Sequence, residues 1–154
     1  SEWKNLEWDS ADHITEIHWY FAELEGSLDL QWMPPTTLFF DVERNELTGS
    51  VDLTCLPDGL QILNLSENAF IGTVDLRALP SHMEQLHLSI NNFVGAIDLT
   101  HLPAAFRQMD LSSNYFEGET DFSQLPEDLT YLNVSRTDLV GEVRSMNALM
   151  VHIE

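Results

Sequence analysis

The sequence predicts an α/β-type repeat solenoid that is mostly β, built of short strands and 3₁₀ turns with little α-helix. Three observations predict it. Glycine recurs every 23 residues, at Gly26, Gly49, Gly72, Gly95, Gly118 and Gly141. Asparagine (Asn45, Asn68, Asn91, Asn114), proline (Pro34, Pro57, Pro80, Pro103, Pro126) and aspartate (Asp29, Asp52, Asp75, Asp98, Asp121) keep the same step. Within each step apolar residues alternate with polar ones, as at Leu63-Asn64-Leu65. A fixed period of this size marks supersecondary units that cannot bury their apolar faces alone and must stack.

Residues 1–13 form a lead-in, with Trp3, Leu6 and Trp8 at turn-like spacing. They read as a cap, because the first coil of a stack otherwise leaves one face open; aromatic rings in such a place usually fill a core. Residues 14–148 hold about six coils. In the first, Ile14, Ile17 and Trp19 point inward on an aromatic strand running from Glu16 to Phe21. In the regular coils the period-2 alternation predicts a strand with one buried face. Leu63, Leu86, Met109 and Leu132 then form one inner spine. Asn68 turns the chain inward, and its amide can pair with backbone groups left bare at the bend. Phe70, like Leu47, Phe93 and Phe116, fills the core behind the strand. Gly72 allows a bend at positive φ. Val74 and Leu76 alternate around Asp75, which predicts a second short strand. Leu79-Pro80 predicts a turn or a brief 3₁₀ segment. The sixth coil lacks its proline, and residues 149–154 alternate like a last edge strand. The whole reads as one domain of 154 residues.

The chain carries 26 acidic and 6 basic residues, a formal charge of −20. Such a surface repels nucleic acid and anionic membrane and attracts basic proteins. No apolar run approaches the ~18 residues of a membrane span. The start, Ser1-Glu2-Trp3, has no signal-peptide pattern. The single Cys55 precludes an intrachain disulfide. The sequons at Asn64 and Asn133 fall on predicted strands, where glycans would obstruct a sheet. Together these features lean towards a cytoplasmic setting.

The phrase L-x-x-L-x-L-S-x-N-x-F-x-G-x-V/I-D-L-x-x-L-P, seen from Leu60 to His82, again from Met83 to His101 and more loosely from Phe106 to Asp128, resembles the leucine-rich repeat family. Its 23-residue step is similar to repeats of protist surface-antigen-like chains and of plant receptor ectodomains. The resemblance implies a right-handed coil with a parallel β-sheet on its concave side, and a binding role. It also implies that outward strand residues form columns along that sheet. The first column is Glu16, Phe39, Ile62, Gln85, Gln108, Tyr131; the second is His18, Asp41, Asn64, His87, Asp110, Asn133. A third runs Tyr20, Glu43, Ser66, Ser89, Ser112, Ser135, and a fourth Phe21, Arg44, Glu67, Ile90, Ser113, Arg136.

The N-terminal half of these columns is aromatic and apolar, and exposed aromatics beside charges mark binding surfaces. The candidate binding residues are therefore Glu16, His18, Tyr20, Phe21, Phe39, Asp41, Glu43, Arg44, Ile62 and His87. The second column pairs His18 with Asp41 and His87 with Asp110. Each pair offers only two ligands, so a hydrogen-bonded ladder is preferred to a metal or acid–base site. The series Asp29, Asp52, Asp75, Asp98, Asp121 caps its own turns, or else holds Ca²⁺ between neighbouring carboxylates; capping is the preferred reading. There is no phosphate-binding glycine loop, nucleophile elbow or H-E-x-x-H. No cofactor and no catalysis are expected. The sequence thus predicts a protein-interaction module. The alternative is a structural unit that forms a homodimer through its terminal edge or its aromatic first coil.

Overall fold

A computed structural model of the chain describes residues 5–142 and 150–152. Its strands are β1 (Leu6–Trp8), β2 (Ile14–His18), β3 (Glu25–Ser27), β4 (Phe39–Asp41), β5 (Glu46–Gly49), β6 (Ile62–Asn64) and β7 (Ala69–Gly72). They continue as β8 (Gln85–His87), β9 (Asn92–Gly95), β10 (Gln108–Asp110), β11 (Tyr115–Glu119), β12 (Tyr131–Asn133), β13 (Asp138–Val140) and β14 (Met150–His152). The chain winds between two sheets. A long eight-stranded sheet runs β1-β2-β4-β6-β8-β10-β12-β14, and a six-stranded sheet runs β13-β11-β9-β7-β5-β3. All pairs are parallel except β1 with β2, which are antiparallel.

The register of the long sheet is in phase with the sequence repeat. Glu16, Phe39, Ile62, Gln85, Gln108 and Tyr131 lie side by side, as do His18, Asp41, Asn64, His87, Asp110 and Asn133. Between these columns Ile17, Phe40, Leu63, Leu86, Met109 and Leu132 point inward and are essentially inaccessible. Behind them Phe70, Phe93 and Phe116 are fully buried, and their rings stack with centroids 6.1 and 6.0 Å apart. The asparagines stitch the coils together. Asn68 Nδ2 donates to Leu65 O in its own coil and to Val42 O in the preceding one, and Oδ1 accepts from Leu47 N. The same bonds recur at Asn91 and Asn114. Each bend thus has its backbone groups paired by one side chain, as burial requires.

Three expectations are corrected and a fourth is narrowed. The second strand of each coil lies at Ala69–Gly72 rather than Thr73–Leu76. The glycine at φ +86 ends it, and although Val74 and Leu76 are buried as their alternation implied, Asp75 is already engaged in the next turn. At the prolines the turn alternative holds, with Met83 N donating to Pro80 O and the same bond at each proline of the series; the 3₁₀ segments, Leu30–Trp32 and Leu53–Cys55, lie before the prolines, because Asp29 and Asp52 cap them from the N-terminal side. The first-coil strand stops at His18, short of Phe21. Trp8 does not fill the core: it is 54 % exposed, while Leu6 packs against the core. Trp3, residues 143–149 of the sixth coil, and positions 153–154 of the terminal strand lie outside the described residues.

Candidate functional site

The N-terminal half of the long sheet combines the greatest aromatic exposure with a dense set of charges. Strand alternation turns Glu16 and His18 of β2, Phe39 and Asp41 of β4, and Ile62 and Asn64 of β6 to one face, each of them half-buried. Beyond the strand ends the chain enters a left-handed turn. Phe21, Arg44, Glu67, Ile90, Ser113 and Arg136 all have φ between 51° and 56°. The fourth column is therefore the rim of the sheet, not part of its surface. Any non-glycine residue there stores strain. In the four middle coils the adjacent asparagine fixes the bend, while in the first Ala22 N donates to Asn45 Oδ1 of the next coil and in the sixth Thr137 Oγ1 donates to Val134 O. On this rim Phe21 is 77 % exposed, and Tyr20 just before it is 59 % exposed.

Arg44 sits beside Phe21 and is tied along the rim: its Nε donates to Glu67 Oε2 at 2.7 Å, with Glu43 Oε1 at 4.0 Å. Phe21, Glu23, Arg44, Asn45, Glu46 and Glu67 enclose an open groove of about 560 Å³. Glu43 also accepts from Asn64 Nδ2 at 3.1 Å, so the sequon amide is already engaged. Asp41 Oδ1 accepts from the backbone N–H of Glu43. Burial pushes the Asp41 carboxyl above the usual range, against that bond and the nearby imidazoles of His18 and His87. Burial likewise pulls His87 down, against the attraction of Asp110, Glu43 and Asp41. An imidazole held neutral amid carboxylates offers an acceptor as well as a donor.

The two histidine–aspartate pairs are in register, but their hydrogen bonds go elsewhere. His18 Nε2 contacts Glu16 Oε2 of its own strand at 2.9 Å, and His87 Nε2 contacts Gln85 Oε1 at 3.3 Å. Asp110 instead accepts from Tyr131 Oη, from Asn133 Nδ2 and from Ser112. Reach would favour the column neighbour, which is nearer than residue i+2. The aspartates are instead engaged in their own strands, Asp41 Oδ1 accepting from Glu43 N and Asp110 Oδ1 from Ser112 N and Oγ. Phe39, across the strand pair, packs on the His18 ring with centroids 4.6 Å apart.

The aspartate series has the geometry of caps. Asp29, Asp52, Asp75, Asp98 and Asp121 each accept through Oδ1 from the backbone N–H two residues on. Arg77 adds two bonds to Asp75 and, with the backbone bond, holds its carboxyl at about 2. Cys55 donates to Asp52 O, and burial raises its thiol above the ordinary value, away from the reactive thiolate.

Two contributors escaped the sequence reading. Glu67 was placed in a column but not recognised as the partner of Arg44. Glu7 was absorbed into a cap, yet β1 brings it directly opposite Glu16. A signal for the latter exists in the Asp9-Ser10-Ala11-Asp12 turn, where Asp9 Oδ1 accepts from Ala11 N and His13 N, which identifies Leu6–His18 as a hairpin.

No protein-family model matches the sequence, and no curated protein matches it significantly. Solved structures do match in shape. The crystal structure of a pollen receptor kinase 3 superposes with a TM-score of 0.82 at 21 % identity, over 99 % of this chain and 78 % of that one. The BIR3–SERK2 complex from Arabidopsis thaliana gives 0.66 at 20 % identity, over 94 % and 81 %. PEPR1–AtPEP1 gives 0.58 at 20 % identity, over 93 % of this chain and 28 % of that chain. The chain therefore has the fold of a leucine-rich repeat solenoid.

Proposed function

We propose that the protein is a non-catalytic interaction module that binds a basic protein segment on the N-terminal half of its long, concave sheet. The observation that carries this reading is the exposure of Tyr20 and Phe21 beside half-buried Phe39 and Ile62, all within a set of carboxylates from Glu16, Asp41, Glu43 and Glu67. Apolar anchors inside a charged rim are the usual anatomy of a recognition surface. The charge of −20 selects a cationic partner and speeds its approach. Two of the similar structures are complexes, BIR3 with SERK2 and PEPR1 with AtPEP1, which supports a fold suited to protein partners. Among the candidate residues, Arg44 organises the carboxylates of Glu67 and Glu43 and the aromatics make the contact.

Selection from a displayed random peptide library tests the reading. Enriched peptides should be basic with an apolar anchor, and a Tyr20→Ser, Phe39→Ser variant should lose them. Neutral or acidic winners, or equal binding by the variant, would refute it.

One observation favours a homodimer as the second reading. Leu6, Trp8, Ile14, Ile17, Trp19, Trp32 and Pro34 line an apolar hollow of about 270 Å³ at the N-terminal end of the stack. Light scattering over a concentration series decides: a dimer abolished by Trp8→Ser supports self-association, and a monomer at all concentrations excludes it.

A further inference from the structure

We propose that Glu7, Glu16 and His18 form a binding site for a divalent transition-metal ion, with Zn²⁺ the best chemical match, at the N-terminal edge of the long sheet. One ligand atom from each residue lies within 4.8 Å of the other two. Among the described residues no other trio of histidine, cysteine and acidic side chains meets this spacing.

Three independent features build the site. The antiparallel register of β1 on β2 sets Glu7 opposite Glu16, and like charges directly opposed across a strand pair are destabilising unless something offsets them. The register then shifts between Glu7 and Trp8, an irregularity of the kind that re-aims a side chain. His18 shares the face of Glu16, its Nε2 is 2.9 Å from Oε2, and the Phe39 ring 4.6 Å away holds the imidazole in place.

The donor set defines the ion. One imidazole nitrogen and two carboxylate oxygens suit Zn²⁺, whereas Ca²⁺ and Mg²⁺ take oxygen ligands. Bonds of ~2.0–2.2 Å to a tetrahedral ion place donors roughly 3.4 Å apart, so closure needs a rotation of the exposed Glu7 and a slight widening of the 2.9 Å His18–Glu16 pair. The ion replaces the proton between His18 Nε2 and Glu16 Oε2. Three protein ligands leave a fourth position for water or for a donor on a partner. The surrounding negative field concentrates cations at this edge. Loading would also fasten β1 to the first parallel coil.

The short sheet supplies a control. Glu25 and Glu46 are likewise opposed, but no histidine joins them. Zinc chloride titrated calorimetrically into the intact chain should give one saturable event per molecule. Glu7→Gln and His18→Asn should each weaken it at least about tenfold, while Glu46→Gln leaves it unchanged. Nitrogen NMR of the imidazoles in the unmodified chain should show His18 perturbed first, ahead of His13 and His101, a readout that no folding defect in a variant can mimic. Absence of saturable heat, an equal loss in Glu46→Gln, or perturbation of the other histidines before His18 would overturn the proposal.

Discussion

Asn91 joins two coils through one amide: its Oδ1 accepts from Phe70 N at 3.0 Å while its Nδ2 donates to Leu65 O at 2.9 Å and Leu88 O at 3.1 Å. The residue is only 7 % exposed, so water does not replace these bonds readily. Asn91→Ala would strand a donor in the preceding coil and carbonyls in both. Each buried unpaired group costs about 1–3 kcal/mol, so a loss of roughly 2–5 kcal/mol is expected. Urea unfolding measures it, with the slope m unchanged; a loss below about 1 kcal/mol would mean that the coils are held by apolar packing alone.

The same spine gives a graded prediction at Phe93. Its ring is inaccessible and lies between Phe70 and Phe116, 13° and 7° from parallel. Phe93→Ala opens a cavity with stacked rings on both sides and should cost about 3–5 kcal/mol. Phe93→Leu should cost much less, because the equivalent position in an earlier coil is Leu47, itself 4 % exposed. Comparable losses in the two variants would show that aromatic stacking, not volume, holds the spine.

The repeat itself was legible because its physical causes are local. A glycine at positive φ, an asparagine at a bend and a leucine every second residue each leave a mark on the sequence. The sheet columns followed from the register. Strand limits and side-chain partners did not. Val74 and Leu76 are buried without belonging to a strand, and burial alternation cannot tell these cases apart. His18 bonds Glu16 rather than Asp41, whose Oδ1 is engaged by its own turn at Glu43 N–H. Glu7 meets Glu16 only because β1 runs antiparallel, which a parallel repeat does not announce. The rim position of Phe21 and Arg44 leaves no mark because all six coils place residues other than Gly, Asn or Asp there, with no sequence pattern in common.

Thr37 departs from its column. Leu60, Met83, Phe106 and Leu129 occupy the equivalent places, and all are buried. Thr37 is fully inaccessible too, yet its hydroxyl has no hydrogen-bond partner. Burying an unpaired hydroxyl costs about 1–3 kcal/mol. Thr37→Val keeps the shape and removes that cost, so it should stabilise the chain by about 1 kcal/mol. Chemical denaturation of the two proteins checks this, and a destabilised valine variant would show that the hydroxyl is solvated.

Asp41 should weaken the fold at neutral pH. Burial, and then the neighbouring Glu43, raise its carboxyl in the folded state, opposed by a backbone bond and by His18 and His87. A carboxyl raised on folding costs stability wherever it must ionise, above its folded value. The cost fades as pH falls towards the unfolded value, about 4. Asp52, Asp75 and Asp98, held below the usual range by their turns, act in the opposite sense, so the acid profile of the unmodified chain does not isolate Asp41. The difference from Asp41→Asn does, since asparagine still accepts the Glu43 N–H through Oδ1. Thermal melts should place the variant above the parent at pH 7, with the gap narrowing as pH approaches 4. A variant that melts lower at pH 7 would mean that the attraction of His18 and His87 outweighs burial, and that the charge on Asp41 holds the sheet together.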